Sequence, residues 1–402
     1  MKKKILFVDS WSIGKKFVYD LANELNSKNN CFFLDFDNLQ IKSGKVVKKF
    51  LTEFDYEFYN TPFKDTFTLS DFDNSVLKAL DNINPDLLIF ISIHGLEHKY
   101  INEIAEFKKI PCIMFMHGIQ GDIKLKEGNL INKIVHKFPR FIYFNKCFFL
   151  YLKDLRKIKS IDYWLQLKRY FKLIFKHKAF LYNPKKDIGL NYKVIFIIND
   201  SDISYFENNY GFDRNKTKFI TIGHIETHNL LKFSSNNDIK ILDQVVFFSQ
   251  PLTSEKFISK GDFEKALQLS MKISAQCKLK FLFRCHPRDD FDFIDELKNK
   301  YHFDISKNSL EEDLFQSKLI IGINSTALYS AQVLKKKLLL FEFESYPIME
   351  SIKHYKNQLI INFNNEIEIK PIVQFCIEKD FKEDFSDIID PVKYIVNFIE
   401  KM

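Results

Sequence analysis

Short apolar runs alternate with segments of helical periodicity along this chain, and that alternation limits the folds it can adopt. In the first half the runs occupy residues 4–9, 87–93, 110–116 and 194–198. In the second half they occupy residues 245–249, 280–285, 319–323 and 338–343. A strand that is apolar on both faces must be covered on both, as parallel strands are in α/β proteins. The sequence therefore predicts an α/β fold with two Rossmann-like domains, each with a parallel sheet built from βα units.

A polar segment marks the expected boundary between the two domains. A chain of 402 residues is long for one hydrophobic core. Residues 234–238 read Ser-Ser-Asn-Asn-Asp, which suits a linker. We therefore predict an N-terminal, acceptor-side domain over residues 1–232, a C-terminal, donor-binding domain over 243–388 and a terminal amphipathic helix over 389–402. The two sheets should face each other across a cleft, where ligands bind.

Composition argues against several classes of protein. No uninterrupted apolar stretch reaches about 18 residues, so no membrane-spanning segment is expected. The apolar run behind the N-terminal lysines is too short for a signal peptide. The six cysteines are scattered without a Cys-x-x-Cys pair, which argues against a zinc site or a disulfide framework. These observations predict a cytoplasmic protein.

The net charge of +8 comes from one segment of the chain. Residues 133–186 hold 15 of the 60 basic residues and 2 of the 52 acidic ones, which leaves 45 basic and 50 acidic residues elsewhere. A charge concentrated in this way indicates a partner of opposite charge. Nucleic acid is not expected, because the chain contains no recognisable nucleic-acid module and the remainder is acidic.

Within this basic segment, residues 161–182 have the periodicity of a helix with an aromatic stripe beside a row of cations. The stripe consists of Trp164, Leu167, Phe171, Ile174 and Phe175, and the cations are Lys168, Arg169, Lys172 and Lys176. The pattern predicts a helix that lies peripherally on the inner membrane surface. The alternatives are a helix that binds a polyanionic acceptor and an ordinary surface helix whose stripe packs on the core.

The end of one predicted strand is the first candidate for a ligand site. The run 280–285 delivers His286 into a turn, with Arg284 and Arg288 beside it. Pro287 cannot donate to a sheet, so the strand should stop there. Open α/β sheets bind ligands at this edge, and a histidine between two guanidinium groups suits a phosphate. The alternative is a strand-ending His-Pro with both arginines in solvent.

Further motifs should reach the same edge of the second sheet. Asn324, Ser325 and Thr326 follow a buried run and open a helix, whose free N–H groups attract anions. Gln250 follows the first strand of this sheet. Glu342 follows a later strand, where a carboxylate can accept the hydroxyls of a ribose. Together they predict a nucleotide-binding site, and for the Ser-Thr pair a simple helix cap is the alternative.

The residue that would accept a proton in a transfer reaction is left open by the sequence. An acceptor hydroxyl needs a carboxylate or a histidine within hydrogen-bond reach. Glu255, Asp262 and Glu264 follow the first strand of the second sheet, and His117 and Asp122 belong to a polar loop of the first domain. Each of these residues is a candidate base. No metal is expected, because His224 and His228 have no evident third ligand and arginines can neutralise a phosphate.

Three motifs in the second half carry a resemblance to a known family. They are Phe248-Ser249-Gln250-Pro251-Leu252, Cys285-His286-Pro287-Arg288-Asp289 and Asn324-Ser325-Thr326-Ala327-Leu328. Over residues 245–345 the chain thereby resembles the bacterial GT-B glycosyltransferases of surface polysaccharides, which include those of capsule and lipopolysaccharide biosynthesis. The likeness is greatest to the sialyltransferase-containing glycosyltransferase family 52. The first domain matches only in its general pattern.

This resemblance implies a reaction and a set of roles. The reaction would be an inverting, metal-independent and cofactor-free transfer of sialic acid or a related sugar from a CMP-activated donor to a cell-surface glycan. A carboxylate would be the base, and His286 would bind the donor phosphate or assist the leaving group. Ser325 and Thr326 would hold the phosphate. Residues 260–262 read Lys-Gly-Asp where the family often has an acidic-acidic-Gly motif, so the base stays open.

Other functions fit parts of the sequence. His117-Gly118 resembles the His-Gly motif of teichoic-acid glycerophosphotransferases, which use a CDP-activated donor such as CDP-glycerol. A non-catalytic nucleotide- or polyanion-binding protein of the same fold is a second alternative, and a sugar-nucleotide epimerase is a third. The expected partners are a nucleotide sugar, a glycan acceptor that could be lipid-linked, and the inner membrane surface.

Overall fold

The computed structural model describes residues 2–9, 14–36, 58–93, 95–116, 130–158, 162–175, 191–236, 239–353, 355–378 and 388–402. Within these ranges only the backbone is described at residues 130–140, 236, 326, 350 and 351. The described chain divides into two compact units. The first contains the described residues up to Ile225 together with Pro391–Met402, and the second contains those from Glu226 to Asp390.

The first unit contains a seven-stranded sheet with parallel pairings. Its strands are β1 (Lys4–Asp9), β2 (Asn30–Asp35), β3 (Asp65–Thr68), β4 (Leu87–Phe90), β5 (Cys112–Phe115), β6 (Val194–Ile197) and β7 (Lys218–Thr221). They lie in the order β3-β2-β1-β4-β5-β6-β7. Strands β4, β5 and β6 are buried along their whole length, as their continuous apolar runs predict.

Helices follow most of these strands. They are α1 (Gly14–Asn26), α2 (Val76–Ile83), α3 (Leu96–Phe107), α4 (Leu130–Ile158), α5 (Tyr163–Phe175) and α6 (Ser201–Tyr210). The helix expected over residues 161–182 is described as α5, and residues 176–182 lie outside the described part. No helix in the described ranges combines the length and the apolar character needed to cross a bilayer.

The second unit repeats this construction with a six-stranded sheet of parallel pairings. Its strands are β8 (Leu242–Phe248), β9 (Lys280–Arg284), β10 (Asp304–Ile305), β11 (Ser317–Gly322), β12 (Lys337–Glu342) and β13 (Gln358–Asn362). They lie in the order β10-β9-β8-β11-β12-β13. Its helices are α7 (Thr227–Asn236), α8 (Lys260–Gln276), α9 (Phe291–Tyr301), α10 (Leu310–Gln316), α11 (Thr326–Val333), α12 (Glu350–Lys353) and α13 (Ile369–Ile377).

The last helix, α14 (Pro391–Lys401), belongs to the first unit and packs against α1. Its apolar face places Val392, Ile395 and Ile399 in the core of that unit. Burial of each such aliphatic side chain contributes roughly 1.5–3 kcal/mol. Lys3 Nζ also donates to the carbonyl oxygen of Ile399 at 3.2 Å. The last helix therefore completes the hydrophobic core of the first unit.

The polar segment expected to be a linker is partly helical. α7 continues to Asn236, and the chain enters the second unit earlier, at Glu226. The hydroxyls of Ser234 and Ser235 donate to the carbonyl oxygens three residues before them, at 3.1 Å and 2.9 Å. Serines can be satisfied in this way inside a helix, so a serine-rich composition did not mark the boundary.

Candidate functional site

The strand order of the second sheet reverses between β8 and β11. From β8 the chain continues to β9 on one side, and from β11 it continues to β12 on the other. Loops that diverge in this way open a crevice beyond the carboxyl ends of the two strands, where open α/β sheets bind ligands. Phe248 and Gly322 are paired at that end. Gln250 and the segment from Asn324 to Thr326 therefore follow neighbouring strand ends.

The amino terminus of α11 lies directly after β11. Ser325 caps the helix, and its Oγ accepts the backbone N–H of Ala327 at 3.2 Å. A Cβ at Gly322 would lie 2.9 Å from Cδ2 of Leu328, so the absence of a side chain lets α11 pack closely on the strand. Thr326 is the first residue of the helix. The N–H groups of Ala327 and Leu328 are thus paired with Ser325, the second through its carbonyl oxygen at 3.0 Å, and the partial positive charge of the helix terminus lies at the predicted phosphate site.

His286 lies in a tight turn after β9. Its backbone N–H donates to Oδ2 of Asp289 at 2.7 Å, and its carbonyl oxygen accepts the N–H of Asp289 at 3.0 Å. The N–H of Arg288 donates to Nδ1 of the imidazole at 3.1 Å. Because Nδ1 is an acceptor there, the neutral ring carries its proton on Nε2. The turn therefore fixes the histidine as a donor through Nε2.

Burial and charge keep this imidazole neutral. Burial, followed by the nearby Arg288 guanidinium, lowers the pKa of His286 to about 4. An imidazole with that pKa is uncharged at neutral pH. His286 can then donate a hydrogen bond to an anion. Because it is not an imidazolium at neutral pH, it cannot protonate a leaving group.

Asp289 belongs to this turn, and the hydroxyl of Ser249 lies near its carboxylate. Burial raises the pKa of Asp289 to about 6, against the lowering effects of the His286 N–H and of the nearby Ser249 hydroxyl. That hydroxyl is buried, and its oxygen has no partner of good hydrogen-bond geometry among the described side chains and backbone groups. A buried polar atom without a partner is costly and often marks a place where a ligand or water binds.

An ion pair joins the loops that leave β8 and β9. Nη1 of Arg288 lies 2.5 Å from Oε1 of Glu255, and Oγ of Ser254 donates to the carbonyl oxygen of Arg288 at 3.0 Å. Glu255, one of the candidate bases, is therefore brought to the His286 turn. Pro287 is exposed within that turn.

The carboxylate of Asp262, another candidate base, is hydrogen-bonded within the start of α8. Ser259 is the N-cap of this helix, and its Oγ lies 2.7 Å from Oδ2 of Asp262 while accepting the Asp262 N–H at 3.0 Å. Lys265 lies 3.5 Å from the other carboxylate oxygen. These contacts are those of a carboxylate in the first turn of a helix.

Arg284 contacts a buried carboxylate. Its Nη1 donates to Oδ2 of Asp313 at 2.7 Å and to the carbonyl oxygens of Asn308 and Ser309 at 2.9 Å and 3.2 Å. Asp313 is fully buried and also accepts from Ser306. The guanidinium expected beside a ligand phosphate thus holds the loop before α10.

Asn324 and Glu342 both hold the segment after β12. Asn324 donates from Nδ2 to the carbonyl oxygen of Pro347 at 2.7 Å and accepts the N–H of Met349 at 2.8 Å. Glu342 accepts the N–H of Ile348 at 3.2 Å and Nδ2 of Asn362 at 3.1 Å. Both side chains are therefore used to shape one wall of the crevice.

The candidates His117 and Asp122 lie outside the described residues. Within the described ranges, no cluster of three or more His, Cys, Asp or Glu side chains is arranged to bind a metal ion.

Among the predicted site residues, His286, Arg288, Glu255 and Gln250 lie at the same edge of the second sheet as the capped end of α11.

A buried pair in the first unit was missed by the sequence interpretation. The order of the first sheet reverses between β1 and β4. Asp9 ends β1, and Nε2 of His98 in α3 lies 3.3 Å from its Oδ1, with both side chains almost fully buried. A Cβ at Gly14 would lie 1.9 Å from the other oxygen of Asp9, so this carboxylate abuts the start of α1. In the sequence, Asp9 could have been noticed as a carboxylate that ends an apolar run, whereas no pattern marks His98 as its partner.

The sequence of this chain has little similarity to known protein families. No family model matches the chain. Among curated proteins, the chain is 22% identical to the tRNA 5-methylaminomethyl-2-thiouridine biosynthesis bifunctional protein MnmC of Campylobacter jejuni subsp. doylei, over 93% of this chain and 60% of that protein. The chain thus spans about 60% of the length of this relative. A likeness at that level assigns no activity.

Among solved structures, the UDP-GlcNAc 2-epimerase of Methanocaldococcus jannaschii superimposes with a TM-score of 0.55 at 12% identity, over 100% of both chains. The Neisseria meningitidis UDP-GlcNAc 2-epimerase, bound to UDP-GlcNAc, gives 0.50 at 10% identity, again over 100% of both. The chain has the GT-B fold. The prediction of an α/β GT-B architecture with two Rossmann-like, parallel-sheet domains is confirmed. Membership of glycosyltransferase family 52 stays a prediction, since the likeness concerns the fold alone.

Proposed function

We propose that this GT-B protein is a glycosyltransferase that moves a sugar from a nucleotide-activated donor to a cell-surface glycan acceptor. The proposed donor is CMP-linked and carries sialic acid or a related sugar, in line with the motif resemblance. The observation that carries the proposal is the sheet reversal between β8 and β11. At the carboxyl edge of this sheet the capped amino terminus of α11 follows β11, and the His286 turn follows β9, on the other side of β8.

The chemistry of these groups suits a phosphate. The amino terminus of α11 supplies the partial positive charge of the helix dipole. Nε2 of His286 supplies an N–H donor, because Nδ1 already accepts the N–H of Arg288. A helix terminus and an N–H donor directed at one phosphate can stabilise its charge without a metal ion. Gln250 lies in the loop after β8, at the same edge of the sheet.

In the proposed reaction the acceptor hydroxyl oxygen attacks the anomeric carbon of the donor sugar. The bond from that carbon to the phosphate oxygen breaks, and its electron pair leaves with the nucleotide. Attack from the face opposite the nucleotide inverts the configuration. The hydrogen bond from His286 stabilises the charge that develops on the departing phosphate. His286 acts here as a neutral N–H donor and not as a general acid, because burial and Arg288 lower its pKa to about 4.

The hydroxyl proton passes to a carboxylate, and we assign Glu255 to this role. Arg288 belongs to the His286 turn, and its Nη1 lies 2.5 Å from Oε1 of Glu255. Asp262 is the less suitable candidate, because its contacts with Ser259 and Lys265 lie at the start of α8 and not at the His286 turn. General-base catalysis of this kind contributes roughly 10²–10⁴ to a rate.

We also propose that the enzyme is cytoplasmic and peripheral to the inner membrane, where a lipid-linked glycan would be extended. Its support is the excess of basic over acidic residues between positions 133 and 186. An anionic membrane surface attracts such a segment and raises the local concentration of the enzyme near a lipid-linked acceptor.

A nucleotide panel tests the donor assignment. Thermal unfolding is followed with CMP, CDP, UDP and GDP, for the native chain and for His286→Gln. A ligand that binds only the folded state adds roughly 2.7 kcal/mol at a hundredfold excess over its dissociation constant. We expect CMP to stabilise the native chain most, and the substitution to remove most of that shift.

Product analysis then separates the rival functions. Glycosyl transfer requires both a CMP-sugar and an acceptor, and its product is a glycoside. Transfer of glycerol phosphate from CDP-glycerol would support the glycerophosphotransferase instead. An altered sugar nucleotide formed without acceptor would identify an epimerase, and binding without turnover of any donor would identify a nucleotide-binding protein. Stabilisation by UDP alone would overturn the CMP assignment.

A further inference from the structure

The helix α5 presents its large apolar side chains away from the core of its unit. The exposed fractions are 81% for Trp164, 43% for Leu167, 50% for Phe171 and 75% for Phe175. Residues spaced three and four apart share one face of an α-helix, so these four form a single outward stripe. The buried residues of the inward face are Gln166 and Leu173. An ordinary surface helix has the opposite arrangement, with apolar residues inward.

Specific contacts fix α5 in this orientation. Leu173 is fully buried on the inward face. Nη1 of Arg169 lies 3.3 Å from Oε1 of Glu103 on α3, and both side chains are largely buried. Arg169 is therefore an internal anchor, although its sequence position suggests a cation of the outer surface. Because the anchors lie on the inward face, the outward stripe is held in a defined position.

The apolar surface continues from α5 onto α4. The Tyr170 ring lies 5.0 Å from Phe148 and 6.4 Å from Phe149, measured between centroids. Phe149 is 60% exposed. Phe171 and Phe175 are stacked at 6.1 Å. We call the face formed by Trp164, Leu167, Phe171, Phe175 and Phe149 the aromatic face.

Cations adjoin the aromatic face. Lys168 is exposed and Lys172 is partly exposed, and both lie on the turns of α5 beside Trp164 and Phe171. The rest of the chain has more acidic than basic residues, with 50 against 45 outside positions 133–186. An anionic surface would therefore attract this part of the protein and repel the remainder. That asymmetry orients the molecule with the aromatic face toward the surface.

We infer that the aromatic face docks onto the anionic headgroup layer of a lipid bilayer, with α5 lying in the plane of the interface. Trp164 is suited to the headgroup level, where indole rings concentrate. The Phe and Leu side chains reach the boundary of the acyl chains, and Lys168 and Lys172 contact anionic headgroups. This assigns a partner of stated chemistry to a surface separate from the proposed transfer site.

Vesicle flotation of the full chain tests the inference. The vesicles contain phosphatidylcholine alone or phosphatidylcholine with phosphatidylglycerol. We expect binding to the anionic vesicles, weakened by salt, and little binding to the neutral ones. A Trp11→Phe variant leaves Trp164 as the single tryptophan, since the chain has two. Its fluorescence should shift to the blue on the anionic vesicles and should be quenched by brominated lipid.

Two sets of substitutions separate the contributions. Lys168→Gln and Lys172→Gln should each weaken binding to anionic vesicles roughly fivefold, because a lysine near such a surface contributes about 1 kcal/mol. Trp164→Gln, Phe171→Gln and Phe175→Gln together should abolish binding in the flotation assay. Lys240→Gln and Lys298→Gln, at exposed positions of the second unit, are the matched control and should change nothing.

The results distinguish this surface from the transfer site. Nucleotide-dependent thermal shifts should be the same in all these variants as in the native chain, which also reports that they fold. Equal binding to neutral and anionic vesicles, or full binding by the triple aromatic variant, would overturn the inference. A native dimer in sedimentation that the aromatic substitutions dissociate, without vesicle binding, would assign the face to a second copy of this chain instead.

Discussion

The backbone N–H of His286 donates a hydrogen bond to Oδ2 of Asp289 at 2.7 Å. The pKa values of these two side chains are shifted in opposite directions by burial. The pKa of His286 falls to about 4 through burial and Arg288, whereas that of Asp289 rises to about 6 through burial. The fold therefore favours the uncharged form of both groups.

These shifts make opposite contributions to the pH dependence of stability. The pKa of His286 is lower in the folded chain, so its contribution is present above its unfolded value, near 6.5, and is lost as the pH falls toward 4. The pKa of Asp289 is raised, so its contribution is present below its unfolded value, near 3.8, and is lost as the pH rises through 6. Between pH 4 and 6 the two partly cancel.

Single substitutions should separate these two effects. In Asp289→Asn the histidine contribution remains alone, so the free energy of unfolding should fall more steeply than in the native chain as the pH is lowered from 6.5 to 4. In His286→Gln it should instead rise relative to the native profile over the same window. Urea unfolding at several pH values measures both, and identical profiles for all three proteins would contradict the shifted pKa values.

The cap of α11 provides a second prediction. Ser325→Ala removes the acceptor for the Ala327 N–H and should destabilise the fold by about 1 kcal/mol. If the hydroxyl also contacts a donor phosphate, nucleotide affinity should fall by roughly tenfold to a hundredfold, the loss typical of a hydrogen bond to a charged group. Isothermal titration with the nucleotide measures this affinity.

Ser309→Ala is the matched control, because Ser309 caps α10 in the same unit and accepts the N–H of Glu312 at 3.1 Å. It should cost a similar stability without changing nucleotide affinity. Equal effects of the two substitutions on affinity would show that Ser325 is a cap alone.

The proposed base is tested by Glu255→Gln. This change keeps the shape of the side chain and removes its charge, so kcat should fall by at least about a hundredfold. Stability should change by less than about 1 kcal/mol, because the pair with Arg288 is partly exposed. Asp262→Asn is the comparison, and a larger loss of kcat there than in Glu255→Gln would transfer the role to Asp262.

The contact of Arg284 with Asp313 yields a prediction about stability. Asp313→Ala would leave the Arg284 guanidinium without its buried partner and should destabilise the fold by roughly 3–5 kcal/mol. The double substitution Arg284→Met with Asp313→Leu should recover much of that loss, because apolar side chains can replace a buried pair. Urea unfolding measures both, and a loss confined to donor affinity would show that Arg284 binds the ligand.

The site was predictable to the extent that it depends on strand ends. A buried apolar run ends where the chain turns, so the positions of His286 and Ser325 at one edge of the second sheet could be read from local sequence. The partners of those residues could not. Arg284 contacts Asp313, 29 positions away, and Glu342 contacts Asn362, 20 positions away. Such pairings depend on how distant loops pack, which local periodicity does not encode.

For α5 the sequence alone determined a helix with an aromatic stripe beside a row of cations, because a period near 3.6 specifies which residues share a face. It did not determine which face would be buried, since an apolar stripe can pack on a core or remain outside. Tertiary packing decided this: Leu173 and the Arg169–Glu103 pair anchor the inward face, and Trp164 and Phe175 are left exposed. Likewise, apolar runs determined two parallel sheets, whereas the order in which their strands pair placed the reversal between β8 and β11 where the candidate site lies.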